Sequence, residues 1–330
     1  MATFAVLGAT SWGTTLAWLL HRSGNAVTII TRSTEEAERL NDARGLDRLP
    51  ELRLPDDLRF APPPVPAVLD GVVAGVPAQS VRKTIEASSL SREVPVLSAA
   101  KGIEHATGML MSEVLEDLGW RPDLIAAISG PNLAHEIVKG LPATAVVAST
   151  SPATAELWQR ALAGPTFRVY TSSDIVGVEF AGAYKNVIAI AAGAAGGLNF
   201  GANTVSSIMT RGLAEMSRLG AALGANPLTF LGLAGVGDLS ATCFSPLSRN
   251  RRFGEALARG MSVEEARAAI GEAIEGAATA PVALELARRH GVELPLCAEV
   301  AAVVNGEKTV AAAMAGLLSR PLRTEASPAT

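Results

Sequence analysis

Cysteine and histidine are scarce in this sequence, and the few that occur are not grouped. The 330 residues contain two cysteines, Cys243 and Cys297, and four histidines, without metal-ligand spacing. We therefore expect no metal site and no disulfide framework, and two isolated thiols are typical of a reducing cytosol. The chain also starts without the charged segment of a secretory signal, so we expect a cytoplasmic protein.

An excess of positive charge and a high aromatic content are also missing. The formal net charge is -4 and aromatic residues make up 4% of the chain. A nucleic-acid-binding surface needs a basic patch or stripe, so we expect no nucleic-acid partner. Hydrophobic residues make up 48% and are mainly small, and a chain of this length predicts two domains rather than one core.

One uncharged stretch requires a comparison with membrane-spanning segments. Residues 186–210 carry no charged side chain, and about 20 apolar residues suffice to span a bilayer. The stretch is interrupted by glycine, asparagine and serine, however, which favours two buried helices with a break between them. We expect no stable membrane insertion.

Short apolar runs alternate with helical patterns in the first half. Strands are predicted at 4–7, 27–31, 72–76, 94–98, 124–129 and 144–148, with helices between several of them, such as 13–22 and 80–88. Strands that are apolar throughout are typical of a parallel sheet covered by helices on both faces. This pattern predicts an α/β, Rossmann-like, doubly wound sheet.

The second half lacks strand patterns and has helical ones. Helices are predicted at 178–192, 204–223, 252–258, 262–270 and 279–290, which indicates an all-α domain. We place the boundary in the segment 171–174, whose Thr-Ser-Ser-Asp sequence can also cap the next helix. The predicted domains are 1–173 and 174–330, and the tail from residue 320 onward is expected to be frayed.

A glycine-containing turn follows the first predicted strand and opens a helix. Gly8 would make the tight turn, Gly13 would let the helix pack closely on the sheet, and the amides of Ser11, Trp12 and Gly13 would hold a pyrophosphate. The middle position of this dinucleotide fingerprint is Thr10 rather than glycine. An ordinary β-turn-α connection is the alternative interpretation, but the position at the first strand of a βαβ series favours nucleotide binding.

The end of the second predicted strand bears on the choice of cofactor. No acid occurs between Thr28 and Thr34, so the usual carboxylate for the ribose hydroxyls of NAD is missing. Arg32 and Ser33 instead offer a guanidinium and a hydroxyl to a 2′-phosphate, and nothing nearby is expected to repel it. A solvated loop cation is the alternative for Arg32.

Lys185 lies on a predicted helix face made of small and apolar residues. Such a lysine either extends to the surface or is partly desolvated in a cleft, where a lowered ammonium pKa would suit proton exchange with a substrate oxygen. In the same half, Asp238 ends a glycine-rich turn at 234–238.

Further polar residues follow predicted strands or open predicted helices. Lys101, Gly130 and Asn132 lie in loops after strands, where doubly wound folds bind ligands. Ser248, Arg249 and Asn250 begin the densest positive run of the chain and suit a phosphate. The alternative interpretation of the loops is that they are routine connections between strands and helices. The alternative for the positive run is a solvent-exposed start of a helix.

Together these segments resemble a known family. Seven of them follow one another along residues 4–317: Gly8-Ala-Thr-Ser-Trp-Gly-Thr-Thr-Leu-Ala17, Ala100-Lys-Gly-Ile-Glu104, Ser129-Gly-Pro-Asn132, Lys185-Asn-Val-Ile-Ala-Ile-Ala-Ala-Gly193, Thr210-Arg-Gly-Leu-Ala-Glu-Met216, Gly235-Val-Gly-Asp-Leu239 and Ser248-Arg-Asn250. The chain is thereby similar to bacterial-type NAD(P)-dependent glycerol-3-phosphate dehydrogenases. Two positions depart from the family pattern, Thr10 in place of a glycine and Ala202 in place of an acid.

The resemblance implies an oxidoreductase that transfers a hydride between NAD(P)H and dihydroxyacetone phosphate, giving sn-glycerol 3-phosphate for phospholipid synthesis. Lys185 would exchange the proton, Lys101 would bind or polarise the same oxygen, and Asp238 would orient Lys185. Gly130, Asn132, Ser248, Arg249 and Asn250 would complete the substrate site. The cofactor would be lined by Ser11, Trp12, Arg32, Lys101, Ala134, Arg249 and Glu275.

The same resemblance assigns dinucleotide binding to 1–173 and substrate binding to 174–330. We expect NADPH to serve at least as well as NADH. The oligomeric state is left open between a monomer and a homodimer. The alternatives are a related two-domain dehydrogenase of 3-hydroxy acids or phosphorylated sugar acids, and a dinucleotide sensor without chemistry. A dehydrogenase of the first kind would not need Ser248-Arg249-Asn250, and a sensor would not need both lysines and the acid.

Overall fold

The computed structural model describes residues 1–321, and the chain divides into two compact units. One unit comprises residues 1–104 and 109–179, and the other comprises residues 105–108 and the chain from Phe180 onward. The division falls inside a long helix, Ile175–Gly197, a few residues beyond the predicted boundary. Apart from Arg320 and Pro321, the tail that we expect to be frayed lies outside the described residues.

The first unit is built on one sheet of eight strands. In chain order they are β1 Thr3–Leu7, β2 Ala26–Ile30, β3 Arg59–Ala61, β4 Gly71–Ala74, β5 Val96–Ser98, β6 Ile125–Ser129, β7 Ala143–Ala148 and β8 Phe167–Ser172. Their order across the sheet is β3-β2-β1-β4-β5-β6-β7-β8. Four residues of β1 and all of β4 and β6 are buried, as expected for strands covered on both faces. The predicted α/β class is confirmed.

All neighbouring strands are parallel except β6 and β7. The connection between these two contains only the five-residue helix Ala134–Val138. At about 1.5 Å per residue this helix is too short to return the chain to the opposite edge of the sheet. Strand β7 therefore starts at the edge where β6 ends, and it runs in the opposite direction.

Six helices belong to the first unit: α1 Ser11–Arg22, α2 Thr34–Ala43, α3 Val81–Ala87, α4 Met111–Asp117, α5 Ala134–Val138 and α6 Pro152–Leu162. The core against the sheet is apolar and includes Phe4, Leu16, Val73 and Trp158. The fully buried Trp158 packs on Phe4 with ring centroids 5.3 Å apart. This packing fixes α6 against the sheet.

The second unit is helical, and its described part contains no strand. From Phe180 onward it contains most of α7 Ile175–Gly197, followed by α8 Ala202–Ala222, α9 Asp238–Phe244, α10 Arg249–Ala258, α11 Val263–Ile270, α12 Glu275–His290, α13 Pro295–Val304 and α14 Val310–Leu318. The predicted cap before α7 is confirmed, because the Asp174 side chain accepts a hydrogen bond of 2.9 Å from the Gly177 amide.

Helix α7 is long and apolar enough to cross a membrane by length and composition alone. In this structure 94% of its most apolar window is buried within the protein, as in the core helix of a globular fold. The expected break in residues 186–210 lies between Gly197 and Ala202, where α7 ends and α8 begins.

Helices α7 and α10 approach each other backbone to backbone. A Cβ atom on Gly193 of α7 would lie 1.9 Å from the carbonyl oxygen of Arg251. A Cβ atom on Gly254 of α10 would lie 2.0 Å from the carbonyl oxygen of Ile190. Only glycine allows this contact, so these two positions set the distance between the helices.

Candidate active site

The turn between β1 and α1 has the predicted glycine geometry. Gly8 has φ +100°, and a Cβ atom there would lie 2.5 Å from the Val76 side chain. A Cβ atom on Gly13 would lie 2.7 Å from the Gly8 carbonyl oxygen, so the close packing expected at Gly13 is confirmed. Both positions require glycine for the helix to start at the end of the strand.

Thr10 changes which amides of this turn are available to a ligand. Its hydroxyl accepts a hydrogen bond of 2.9 Å from the Gly13 amide and donates one of 2.6 Å to the Gly75 carbonyl. The expectation that the Gly13 amide holds a pyrophosphate is therefore wrong for this structure, because Thr10 caps the helix with that amide. The Ser11 and Trp12 amides have no acceptor in the described part of the chain, and the buried Trp12 Nε1 also lacks a partner there. These unsatisfied donors fit a nucleotide phosphate.

Arg32 is not an isolated cation. Its guanidinium donates to both carboxylate oxygens of Glu36, Nη2 to Oε1 at 2.9 Å and Nε to Oε2 at 3.2 Å. Ser33 begins α2 as its cap and accepts from the Glu36 amide, which brings residue 36 to the strand end. The expectation that nothing near Arg32 repels a 2′-phosphate is therefore wrong, because the first turn of α2 brings the Glu36 carboxylate into contact with the Arg32 guanidinium.

Arg48 contacts the same turn and was missed by the sequence analysis. Its side chain donates a hydrogen bond to the carbonyl oxygen of Ala9, between the two essential glycines. It comes from the segment after α2, where no periodic pattern indicated a functional role. A second guanidinium therefore lies at the predicted nucleotide turn.

The loops after β5 and β6 bring three predicted residues together in the first unit. The Lys101 ammonium donates to the Gly130 carbonyl oxygen at 3.1 Å, and Gly130 has φ +132°. The Asn132 side chain donates to Thr144 at 2.9 Å, while its Oδ1 atom is buried without a hydrogen-bond partner in the described part of the structure. An unpartnered buried acceptor of this kind suits a ligand hydroxyl.

Lys185 and Asp238 are joined in the second unit. The Lys185 ammonium donates to Asp238 Oδ1 and, at 2.7 Å, to the Thr242 hydroxyl. The side chains of Lys185 and Asp238 are only 7% and 3% exposed. Of the two open interpretations of Lys185, the structure favours the desolvated one. Thr242 was missed by the sequence analysis, because its position one turn after Asp238 matters only if Asp238 begins a helix.

The segment before Asp238 is a wide helical turn at Leu233–Gly237 rather than a simple loop turn. Gly235 in this turn has φ -88° and ψ -106°, and a Cβ atom there would lie 2.0 Å from the Phe230 carbonyl oxygen. Only glycine fits at this distance. The turn places Asp238 at the first position of α9, within reach of Lys185 on α7.

Helix α10 begins at Arg249, three residues earlier than predicted, because Ser248 caps it through the Arg251 amide at 3.3 Å. The Asn250 side chain donates to Asn186 Oδ1 at 2.9 Å and accepts from the Gly276 amide at 3.0 Å. It thereby connects the neighbour of Lys185 with the neighbour of Glu275. Arg249 is 41% exposed in its side chain and pairs with Glu272 at 3.3 Å.

A buried carboxyl group lies on α7 two turns before Lys185. Glu179 accepts hydrogen bonds from the amide and the hydroxyl of Ser112, which lies in the first turn of α4. Burial raises the pKa of Glu179 to about 7, and the nearby carboxylates of Glu113 and Glu116 act in the same direction. Sequence analysis did not identify this group.

Predicted cofactor residues Ala134 and Glu275 are the first residues of α5 and α12. Within residues 1–321 no group of three or more histidine, cysteine, aspartate or glutamate side chains could hold a metal ion.

Comparisons with known proteins identify relatives of this chain. The sequence models of NAD-dependent glycerol-3-phosphate dehydrogenase match at residues 3–155 for its N-terminal part and 174–315 for its C-terminal part. A glycerol-3-phosphate dehydrogenase [NAD(P)+] of Corynebacterium aurimucosum is 46% identical over 98% of this chain and 100% of its own length. The enzyme of the same name from Streptomyces avermitilis is 44% identical over 97% of each chain.

The fold is also that of a solved relative. The crystal structure of glycerol-3-phosphate dehydrogenase from Coxiella burnetii superposes with a TM-score of 0.90 at 35% identity, covering 97% of this chain and 99% of the other. Matching family models over both halves and relatives above 40% identity along nearly the whole length confirm the predicted resemblance. The chain belongs to the NAD(P)-dependent glycerol-3-phosphate dehydrogenase family.

Proposed function

We propose that this chain interconverts dihydroxyacetone phosphate and sn-glycerol 3-phosphate by reversible hydride transfer with NAD(P)H. The observation that carries the proposal is the buried Lys185 ammonium, which Asp238 and Thr242 hold in one orientation. A ketone reduction needs a proton at the oxygen that becomes an alkoxide. Lys185 supplies that proton, and the general acid–base contribution of such a group is commonly about a hundred- to ten-thousand-fold.

Asp238 and Thr242 act on Lys185 rather than on the substrate. The Asp238 carboxylate stabilises the ammonium form before the reaction, and the Thr242 hydroxyl fixes the direction of its N–H bonds. The Thr242 hydroxyl itself donates to the Asp238 carbonyl oxygen at 2.6 Å, so its own proton points away from Lys185. Preorganised donors of this kind stabilise developing charge without rearrangement.

A nicotinamide cofactor, when bound, supplies the hydride. The residues that fit its phosphates are Ser11 and Trp12, through unsatisfied donors at the start of α1, with Gly8 and Gly13 allowing the close approach. Arg32 and Ser33 would meet the adenosine end, and Ala134, Glu275 and Arg249 stay predictions for the remaining contacts.

The remaining predicted substrate residues keep the roles that the family resemblance implies. Arg249, Ser248 and Asn250 bind the phosphate at the start of α10, where a helix N-terminus also favours an anion. Lys101 places a second positive charge at the ketone oxygen, and the unpartnered Asn132 Oδ1 accepts a substrate hydroxyl. The Gly130 carbonyl holds Lys101 in place.

We further propose that the enzyme acts in the cytoplasm and that its product supplies glycerophospholipid synthesis. Two free, buried cysteines suit a reducing compartment. The homodimer also stays a prediction.

The proposed activity is tested by following the absorbance of the reduced nicotinamide. Dihydroxyacetone phosphate should be reduced efficiently, and unphosphorylated dihydroxyacetone should be a poor substrate because it offers nothing to Arg249. A 3-oxo acid and a phosphorylated 3-oxo sugar acid serve as competing substrates. Faster turnover of either acid would replace the proposed substrate, and no turnover of any of them would favour a sensor.

A further inference from the structure

The guanidinium predicted to bind the substrate phosphate already has an anionic partner. Arg249 Nη1 contacts Glu272 Oε2 at 3.3 Å, the only contact recorded for this side chain among residues 1–321. The two side chains are 41% and 29% exposed. A single, long and partly exposed contact is weak, and it leaves most of the five guanidinium donors unused.

The loop that carries Glu272 is held against the start of α10 at a second point. Residue 272 lies between α11 and α12, directly after Gly271, whose φ of +68° ends α11. Four residues later the Gly276 amide donates to Asn250 Oδ1. Two adjacent residues of α10, Arg249 and Asn250, therefore hold this loop. The Glu272 carboxylate occupies part of the guanidinium that the phosphate of the proposed substrate would bind.

We propose that Glu272 competes with the substrate phosphate for Arg249 and thereby limits the affinity of the site for a phosphorylated substrate. This inference rests on the proposed function. A phosphate dianion brings more charge and more acceptors than one carboxylate, so it can take the guanidinium in a bidentate contact and displace Glu272. An uncharged or singly charged analogue has less to offer and leaves the pair intact.

The test replaces Glu272 by glutamine, which keeps the shape and removes the charge. A control is available on the same helix, where Glu255 pairs with Arg251 at 2.9 Å. With the cofactor saturating, we expect Glu272→Gln to lower the KM for dihydroxyacetone phosphate about two- to fivefold, the range of a weak ion pair. The KM for unphosphorylated dihydroxyacetone should not change, and Glu255→Gln should leave both values unchanged.

A second readout does not depend on turnover. Inorganic phosphate should protect against thermal unfolding at a lower half-saturating concentration in Glu272→Gln than in the parent or in Glu255→Gln. If the parent does not reduce dihydroxyacetone phosphate, the proposed substrate fails, while this shift would still support competition at Arg249. Absence of phosphate protection in all three proteins, together with an unchanged KM, would overturn the competition.

Other outcomes also contradict the inference. A higher KM in Glu272→Gln would mean that the carboxylate supports Arg249 in its binding position. An equal fall of KM in Glu255→Gln would show a general effect of net charge on an anionic substrate rather than competition for one guanidinium.

Discussion

Asp238 accepts a hydrogen bond from the Lys185 ammonium in surroundings where both side chains are almost completely buried. The pair connects the middle of α7 with the first turn of α9. Because a buried charge without a partner is costly, each residue stabilises the other, and the pair contributes to the fold as well as to the site. This double role separates Lys185 from the exposed lysines of the chain.

Replacement of Lys185 by alanine should reduce turnover about a hundred- to ten-thousand-fold, because the proton for the substrate oxygen is lost. The dissociation constant of the cofactor, measured by quenching of protein fluorescence, should change little. Lys308→Ala is the control, since Lys308 is 43% exposed and pairs only with Glu299 in the described contacts. Turnover near the parent value in Lys185→Ala would remove Lys185 from the mechanism.

Asp238→Ala should lower the free energy of unfolding by about 3–5 kcal/mol, because it leaves a buried ammonium without its carboxylate. The double variant Lys185→Met, Asp238→Ala should be more stable than the sum of the single changes predicts. A cycle on the exposed pair Glu156 and Arg160 should give a coupling below about 1 kcal/mol. Additive effects at Lys185 and Asp238 in denaturant unfolding would contradict the coupling.

The pair Arg32 and Glu36 makes a prediction about cofactor preference. Arg32→Ala should weaken NADPH relative to NADH by roughly 1–3 kcal/mol, since a guanidinium contact to the 2′-phosphate is lost. Glu36→Gln should act in the opposite direction, because it frees that guanidinium. The measurement is the ratio of kcat/KM for the two cofactors. A parent that strongly prefers NADH would refute the expectation that NADPH serves at least as well.

Glu179 predicts a pH dependence of stability. Its pKa of about 7 in the fold exceeds the ordinary value of 4.5, so the folded state holds a proton that the unfolded state has lost between these pH values. This contribution is fully present below pH 4.5 and is lost as the pH rises to 7, by about 3 kcal/mol in total. Glu179→Gln should remove this fall from the pH profile of unfolding.

The control for Glu179 is Glu285→Gln. Two arginines lower the pKa of the exposed Glu285 to about 2, so this group stays charged throughout the range and its removal should leave the slope unchanged. An identical slope in the parent and in Glu179→Gln would mean that Glu179 does not titrate between pH 4.5 and 7.

The strands that sequence analysis found are those buried on both faces. Strand β8 was missed because it alternates, with Arg168 and Tyr170 exposed between buried residues at the edge of the sheet. Strand β3 was missed because it is short and only one of its three residues, Phe60, is buried, whereas the equally short β5 is buried throughout. A continuous apolar run indicates a strand that is buried on both faces. An edge strand is only half buried, so its sequence contains no such run and is harder to recognise.

At the candidate site, single residues could be predicted but their partners could not. Lys185 was identified from its apolar neighbours, whereas Thr242 and Glu36 become neighbours of Asp238 and Arg32 only when a helix begins nearby. For Glu36 a signal was available, because serine followed three residues later by glutamate is typical of a helix start. For Thr242 the glycine-rich segment before Asp238 indicated a turn and concealed the helix that follows.

The glycine contact between α7 and α10 has a consequence for the size of the substrate. Lys185 lies on α7, and Arg249 is the first residue of α10. Because the helices touch through main-chain atoms at Gly193 and Gly254, a change of side-chain rotamer there cannot shift one helix along the other. The contact therefore keeps the main chain at Lys185 and the main chain at Arg249 at one separation. With the ketone oxygen at Lys185 and the phosphate at Arg249, as proposed, we expect a ketone with one more carbon before its phosphate to be reduced less efficiently than dihydroxyacetone phosphate.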